Sequence, residues 1–144
     1  MRVVLDTVIL VRGLINPRST CGRLVFDYAD AYLTIVSPPI VAEYLAVLWR
    51  PELLRKYRGG AGGDPPAILD VIARAATVEP VETPAVCRDP EDDTFLAAAK
   101  PSGARWIVSE DADLLDIGTY EETAIVSAAA FLRILESPSP QRQT

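Results

Sequence analysis

Short β-type apolar runs alternate along the chain with stretches whose apolar residues have helical spacing. The spacing predicts strands over residues 3–11, 32–37, 77–81, 105–109 and 123–127. It predicts helices over residues 18–30, 38–50, 66–76, 92–100, 112–117 and 128–135. Alternation of this kind is typical of βαβ units and therefore predicts an α/β fold with a central parallel sheet. The first run, broken by Asp6 and Thr7, is interpreted as a central buried strand.

Local signals mark where several of these elements begin and end. Ser19 or Thr20 is the expected N-cap of the first predicted helix, and Pro38–Pro39 opens the second. The apolar stripe of that second helix is Ile40, Val41, Tyr44, Leu45 and Leu48. Residues 59–66 are rich in glycine and proline, which predicts a loop. It is not a phosphate-binding loop, because it lacks the following Lys and Ser/Thr and two prolines remove amide donors.

Composition limits the class of protein. The chain has 144 residues, of which 49% are hydrophobic, so we expect one folded domain over residues 1–136 and a disordered tail over 137–144. No apolar run approaches the roughly 20 residues that a membrane-spanning helix needs, and no signal peptide pattern opens the chain. Two cysteines, Cys21 and Cys87, make no disulfide framework. We therefore expect a cytoplasmic protein.

The distribution of charge matters more than the net charge of −6, which alone would argue against a nucleic-acid partner. Residues 88–122 carry ten acids against three bases, whereas residues 1–87 carry nine of each. An acidic segment suits a metal site. Separate arginines, among them Arg12, Arg18 and Arg23, are candidates for contacts with RNA phosphates. The simpler interpretation of each arginine is a solvated helix face.

Carboxylates follow several predicted strands at what would be one edge of the sheet. Asp6 is the strongest candidate, because a charge inside a buried run costs several kcal/mol unless it is paired or binds a metal. Asp111 and Asp113 follow another strand, and Ser109 just before them can hydrogen-bond a carboxylate. Their alternative interpretation is a turn that caps a short helix.

Two further acids join this set from helices. Glu43 lies at the border of an apolar stripe, where a glutamate is also common for electrostatic reasons alone. Asp93 has the periodicity of an inward face, within an acidic stretch that begins at Asp89. Converging carboxylates repel one another unless a hard cation neutralises them. Because the chain has no histidine, the set predicts Mg²⁺ or Mn²⁺ and a metal-activated water that attacks phosphate.

Four segments carry a resemblance to a known family. They are residues 1–7, residues 36–38 with Glu43, residues 89–93 and residues 107–115. In this order and spacing the chain resembles the PIN-domain family, and within it the small prokaryotic VapC-like toxins of toxin–antitoxin pairs. The resemblance implies a Rossmann-like three-layer α/β/α fold and a Mg²⁺- or Mn²⁺-dependent endoribonuclease. It also implies a homodimer and a cognate antitoxin protein.

The resemblance assigns roles to individual residues. The family's catalytic acids fall on Asp6, Glu43, Asp93 and Asp111, and the metal ligands on Asp6, Asp93, Asp111 and Asp113. Thr7, Ser109 and Asp89 are supporting residues. The chain departs from the family at Val8, where asparagine is usual, and at Arg12, where serine is common.

Two other functions compete with a nuclease. Val8 favours a catalytically weak or inert PIN fold that binds RNA or protein, because valine cannot make the hydrogen bonds of asparagine near the site. A haloacid-dehalogenase-like phosphatase also begins with an aspartate after an apolar strand. That chemistry requires a second aspartate two residues later, where this chain has Val8.

Overall fold

Six strands form one sheet in a computed structural model that describes residues 1–52, 67–81 and 93–137. The strands are β1 (Arg2–Leu5), β2 (Leu33–Val36), β3 (Ala76–Thr77), β4 (Trp106–Val108), β5 (Thr119–Tyr120) and β6 (Thr123–Val126). Their order across the sheet is β3-β2-β1-β4-β6-β5. All neighbours are parallel except β5, which pairs antiparallel with β6. The predicted parallel sheet is therefore confirmed, with an antiparallel edge strand that the sequence pattern did not indicate.

Seven α-helices accompany the sheet in the described part of the chain. They are α1 (Thr7–Ile15), α2 (Thr20–Gly22), α3 (Pro38–Leu48), α4 (Ala67–Arg74), α5 (Asp93–Ser102), α6 (Ala112–Ile117) and α7 (Ala128–Glu136). Val3, Val4 and Leu5 of β1 are all fully buried, so both faces of the central strand are covered. This is the predicted three-layer α/β/α arrangement.

The first apolar run does not form one strand, and that prediction was wrong. β1 ends at Leu5 and α1 begins at Thr7, with Asp6 as the helix N-cap residue. A buried strand followed at once by a buried helix is apolar throughout, so periodicity alone does not separate the two. The consequence is that Asp6 lies at the junction, at the carboxyl end of the central strand.

The segment after α1 also differs from the single helix predicted over residues 18–30. α2 ends at Gly22, and a π-helical turn (Arg23–Asp27) and a 3-10 turn (Ala29–Ala31) follow. Ser19 is the N-cap, as predicted, and its hydroxyl accepts a hydrogen bond from the Gly22 amide at 3.2 Å. A Cβ at Gly22 would lie 2.3 Å from the Pro17 carbonyl oxygen, so only glycine fits this close approach.

The remaining elements agree with the sequence pattern, with some differences in length and burial. Ser37 caps α3 and accepts from the Ile40 amide at 3.4 Å. Ile40, Tyr44 and Leu48 form its buried stripe, whereas Val41 and Leu45 are only half-buried. β3 is shorter than the strand predicted over residues 77–81. Several predictions lie outside the described residues. They are the loop over residues 59–66, Cys87, Asp89 and, except for Ser137, the tail over residues 137–144.

The strand order fixes where a ligand site can form. From β1 the chain moves to β2 on one side of the sheet, and it later returns to β4 on the other side. In open α/β sheets such a switch point opens a crevice at the carboxyl ends of the two strands. Here those ends lead into Asp6 and Ser109.

Candidate active site

Asp6 and Ser109 meet at the carboxyl ends of β1 and β4. The register pairs Leu5 with Val108, and the Asp6 amide extends the ladder with a 3.0 Å hydrogen bond to the Val108 carbonyl. The Ser109 hydroxyl donates to Oδ2 of Asp6 at 2.7 Å. Both side chains are buried, with Asp6 5% exposed and Ser109 fully enclosed. Parallel pairing therefore holds the two residues that the sequence suggested for one sheet edge.

Burial dominates the electrostatics of Asp6. Loss of solvent raises the pKa of its carboxyl group, and the nearby negative charge of Asp111 raises it further. The hydrogen bond from Ser109 and the backbone amides of Val8 and Thr7 act in the opposite direction, because they favour the ionised form. The net result is a raised pKa. A carboxylate in this environment would be stabilised by a cation.

A short chain of hydrogen bonds links Ser109 to the acids that follow it. The Asp111 amide donates to the Ser109 hydroxyl oxygen at 2.9 Å. The Asp113 amide donates to Oδ1 of Asp111 at 2.8 Å, which makes Asp111 the N-cap of α6. The capping turn considered as the simpler interpretation is thus present. It does not exclude a functional role, because the same turn holds Asp111 close enough to act on Asp6.

Thr7 and Glu43 form a second connection, between α1 and α3. The Thr7 hydroxyl donates to Oε2 of Glu43 at 2.5 Å. Thr7 is buried, whereas Glu43 is half-buried. Because Thr7 directly follows Asp6, this bond ties Glu43 to the same end of the central strand.

Sequence reasoning placed Tyr44 in the core but missed its polar role. The fully buried Tyr44 hydroxyl donates to the Leu5 carbonyl at 2.5 Å. Burial raises the pKa of Tyr44 well above its usual value, and the charges of Asp6 and Glu43 raise it further. Tyr44 therefore packs α3 against the end of β1 and remains protonated. A tyrosine in an apolar stripe beside a glutamate was the available signal.

Asp93 begins α5 and is half-buried, whereas Asp89 lies outside the described residues. Among residues 1–52, 67–81 and 93–137, no three carboxylates stand close enough together to form a complete cation site. The donor chemistry nevertheless fits a hard divalent cation. A desolvated Asp6 carboxylate has Asp111 near it, and all the candidate ligands are carboxylate oxygens.

The three candidate arginines differ in their surroundings. Arg12 is exposed on α1, and Arg18 is exposed in the turn that follows α1. Arg23 lies 3.8 Å from Glu136 of α7, with both side chains partly exposed. Arg23 is thus partly compensated, whereas no salt bridge is found for Arg12 or Arg18 within the described ranges.

Glu110 is a polar residue near the site that sequence reasoning left without a role. Its Oε1 accepts a hydrogen bond from the Ala128 amide at 3.1 Å, which satisfies the first turn of α7. Glu110 stands between Ser109 and Asp111 in sequence and is half-buried. An acid immediately before Asp111 was the only sequence signal for it.

A switch-point crevice with a buried Asp6 carboxylate on an α/β/α fold is the usual place of a ligand site in open α/β proteins. Comparison with known families specifies the class. The profile of the PIN domain matches residues 2–113, and the chain belongs to the PIN-domain family. PIN domains are typically nucleases, which act on nucleic acid and generally use divalent metal ions.

One curated relative gives similarity without an activity. The chain is 30% identical over 122 residues to the uncharacterized protein MJ1680 of Methanocaldococcus jannaschii. The alignment covers 81% of this chain and 75% of the relative. Within the described residues, no helix is long and apolar enough to cross a membrane.

Proposed function

We propose that the protein is a Mg²⁺- or Mn²⁺-dependent endoribonuclease that hydrolyses RNA phosphodiester bonds. The observation that carries the proposal is the buried Asp6 carboxylate, held by Ser109 and close to Asp111. A desolvated carboxylate at a sheet switch point has a high cost that a bound cation offsets. Membership of the PIN family supplies the reaction class.

The carboxylates have distinct tasks in this proposal. Asp6, Asp93, Asp111 and Asp113 would hold the cation, and Asp6, Glu43, Asp93 and Asp111 would form the catalytic set. A divalent ion held by these residues would supply activation of a water nucleophile near neutral pH and would balance charge on phosphate. Asp89 has a supporting role.

Neighbouring hydroxyl groups orient these acids. Ser109 fixes the Asp6 carboxylate by donating to Oδ2, and Thr7 fixes Glu43 by donating to Oε2. Each hydroxyl group donates a hydrogen bond to one carboxylate oxygen. This bond fixes the orientation of the carboxylate, whose remaining lone pairs stay available as acceptors. We infer that they preorganise the site before substrate and cation arrive.

Cleavage of labelled single-stranded and structured RNAs tests the proposal. Purified protein is incubated with Mn²⁺, Mg²⁺ or EDTA, beside Asp6→Asn and the control Asp70→Asn, which removes an exposed acid of α4. The expected result is metal-dependent cutting by wild type and Asp70→Asn, with loss in Asp6→Asn. Cutting by Asp6→Asn that equals wild type would contradict the proposed role of Asp6.

The resemblance to VapC-like toxins supports a proposal for the cellular role of the protein. The protein would act as the toxin of a toxin–antitoxin pair, as a homodimer in the cytoplasm, and an antitoxin protein would cover the acidic site. Controlled expression in a bacterial host checks the toxin role. We expect expression of the wild-type protein to slow growth and expression of Asp6→Asn to restore it. Equal growth with wild type and Asp6→Asn would contradict the toxin role.

An inert RNA- or protein-binding PIN fold is the second candidate. The observation that favours it is Val8, which is 41% exposed directly after Thr7, at the position where the family usually has asparagine. Val8→Asn discriminates between the two functions. RNA cleavage that is absent in wild type and gained in Val8→Asn would support the inert module.

A further inference from the structure

A cavity of about 430 Å³ is lined in part by Glu110, the residue directly before Asp111. It is formed by α1, the turn into α2, Glu110 and the first turn of α7, and its lining includes Arg12, Ile15, Asn16, Cys21, Glu110 and Ala129. This volume lies in the range of about 300–1,000 Å³ that small-molecule sites occupy. The cavity is therefore large enough for one nucleoside.

Two residues that line the cavity are close in the chain to residues of the proposed active site. Glu110 directly precedes Asp111, and Arg12 lies on the helix that begins at Thr7. Arg12 lies five positions after Thr7, which is about 7.5 Å along a helix axis at 1.5 Å per residue. An RNA strand with a phosphate at Asp6 would thus extend an adjacent nucleotide toward the cavity.

Two opposite charges give the cavity its recognition chemistry. Arg12 and Glu110 both line it, and both act on the Cys21 thiol, whose pKa is raised by burial and by Glu110 and lowered by Arg12. No salt bridge joins Arg12 to Glu110 within the described residues. An exposed arginine that no such bond occupies is suited to a phosphate group.

Glu110 lines the cavity and retains acceptor capacity. A carboxylate has about four acceptor sites, and the Ala128 amide uses one on Oε1. By contrast, Asn16 is partly committed, because its Oδ1 accepts from the Arg18 amide at 3.1 Å. Among the RNA bases, guanine offers two adjacent N–H donors, N1–H and the N2 amino group, to a single carboxylate.

We infer that this cavity binds an unpaired guanine nucleotide next to the cleaved bond, with its base N–H groups on Glu110 and a phosphate on Arg12. The inference rests on the proposed ribonuclease function, which it refines to a substrate class. Ile15 and Ala129 give the apolar walls against which a base packs. Selection takes place in the cavity and requires none of the proposed catalytic acids.

Binding of short labelled RNAs tests the inference. Fluorescence anisotropy, with Asp6→Asn as the parent to prevent cleavage, compares an oligouridine containing one guanine with the same strand containing inosine or adenine. Inosine lacks only the N2 amino group of guanine. We expect affinity about tenfold higher for guanine than for adenine, with inosine between them.

Two variants locate the effect in the cavity. Ala129→Phe fills it from the exposed rim of α7, and Ala73→Phe adds the same side chain to an exposed position of α4 as the matched control. Glu110→Gln retains a carbonyl for the Ala128 amide but replaces an acceptor by an amino donor. We expect Ala129→Phe and Glu110→Gln to abolish the guanine preference and Ala73→Phe to preserve it, with unfolding temperatures reported for each.

The outcomes separate this inference from the proposed function. Equal affinity for the three RNAs, or an unchanged guanine preference in a folded Ala129→Phe variant, overturns the inference while metal-dependent cleavage stands. Conversely, a guanine preference that Ala129→Phe removes supports the subsite even if wild type cleaves no RNA with Mn²⁺. If Ala129→Phe alters only the oligomeric state, the cavity is a protein interface and the inference is overturned.

Discussion

The Ser109 hydroxyl donates a 2.7 Å hydrogen bond to Oδ2 of Asp6, although 103 positions separate the two residues. The bond is buried and follows from the parallel pairing of β1 with β4. It joins the most strongly desolvated candidate acid to the turn that contains Asp111. Ser109 is thus the link between the two halves of the acidic site.

Ser109→Ala should lower stability and activity together. The change leaves the Asp111 amide without its hydroxyl acceptor and raises the pKa of Asp6, because the Ser109 bond lowers it. Removing one partner of a buried hydrogen bond costs about 1–3 kcal/mol, measured by denaturant unfolding. The acidic limb of the pH–activity profile should move to higher pH.

Ser102→Ala is the matched control for that variant. Ser102 is a buried serine that donates to the Ala99 carbonyl and accepts from the Ala104 amide. Ser102 is the last residue of α5, and its carbonyl accepts a hydrogen bond from Arg2 at the start of β1. Ser102 therefore lies at the amino end of β1, whereas Asp6 follows the carboxyl end. A similar loss of stability without a change in pH–activity profile is expected. An identical profile shift in both variants would contradict a specific effect on Asp6.

Asp6→Asn should preserve or raise the stability of the metal-free protein at neutral pH. Burial raises the folded-state pKa of Asp6 above its ordinary value of 3.8, so the folded state binds the proton more tightly than the unfolded state. Its stabilising contribution is full below pH 3.8 and is lost as pH rises through the folded pKa. The difference in stability between Asp6→Asn and wild type should therefore become smaller as pH falls.

Thermal unfolding of wild type and Asp6→Asn across pH, with EDTA, provides that measurement. Asp70→Asn, which changes an exposed acid, should show little difference from wild type at any pH. Collapse of the Asp6→Asn fold at neutral pH would mean that the carboxylate is a structural group.

Thr7→Val should reduce RNA cleavage more than it reduces stability. Valine has nearly the shape of threonine but cannot donate to Oε2 of Glu43, so the carboxylate loses its orientation. Thr7→Ser retains the hydroxyl and should recover most activity. Steady-state cleavage rates and unfolding curves for the three proteins check this. Equal cleavage rates for Thr7→Val and Thr7→Ser would contradict a role of the Thr7 hydroxyl in catalysis.

Mn²⁺ should raise the unfolding temperature of wild type in proportion to the logarithm of its concentration. A ligand that binds only the folded state stabilises it by mass action, and a cation also offsets the repulsion between Asp6 and Asp111. The shift should be much smaller in Asp6→Asn and unchanged in Asp70→Asn. Differential scanning fluorimetry suffices. An equal shift in all three proteins would place the ion elsewhere.

RNA affinity should fall with ionic strength, and Arg12 should contribute more than Arg23. For single strands the slope of log affinity against log salt changes by about 0.7 for each phosphate neutralised. Arg12→Gln should reduce the slope by about that amount. Arg23→Gln should change it less, because Arg23 already lies 3.8 Å from Glu136. Equal slopes for wild type and Arg12→Gln would contradict an Arg12–phosphate contact.

The order and type of most elements followed from the sequence. Pro38–Pro39 marks the start of α3, and Ser19 marks that of α2, because caps and prolines act within one helical turn. The junction at Asp6 did not follow, since strand and helix are both buried there and share one apolar run. The edge strand β5 has only two residues, which is too short for a usable pattern.

The sequence by itself determined the α/β class, the PIN resemblance and the candidate acids Asp6, Glu43, Asp93 and Asp111. Only the tertiary structure decided which side chains touch. Ser109 meets Asp6 through strand pairing, Thr7 meets Glu43 through helix packing, and Glu110 reaches α7 and a cavity that contains Arg12. The physical reason is range: periodicity and capping act over a few residues, whereas sheet order joins residues a hundred positions apart.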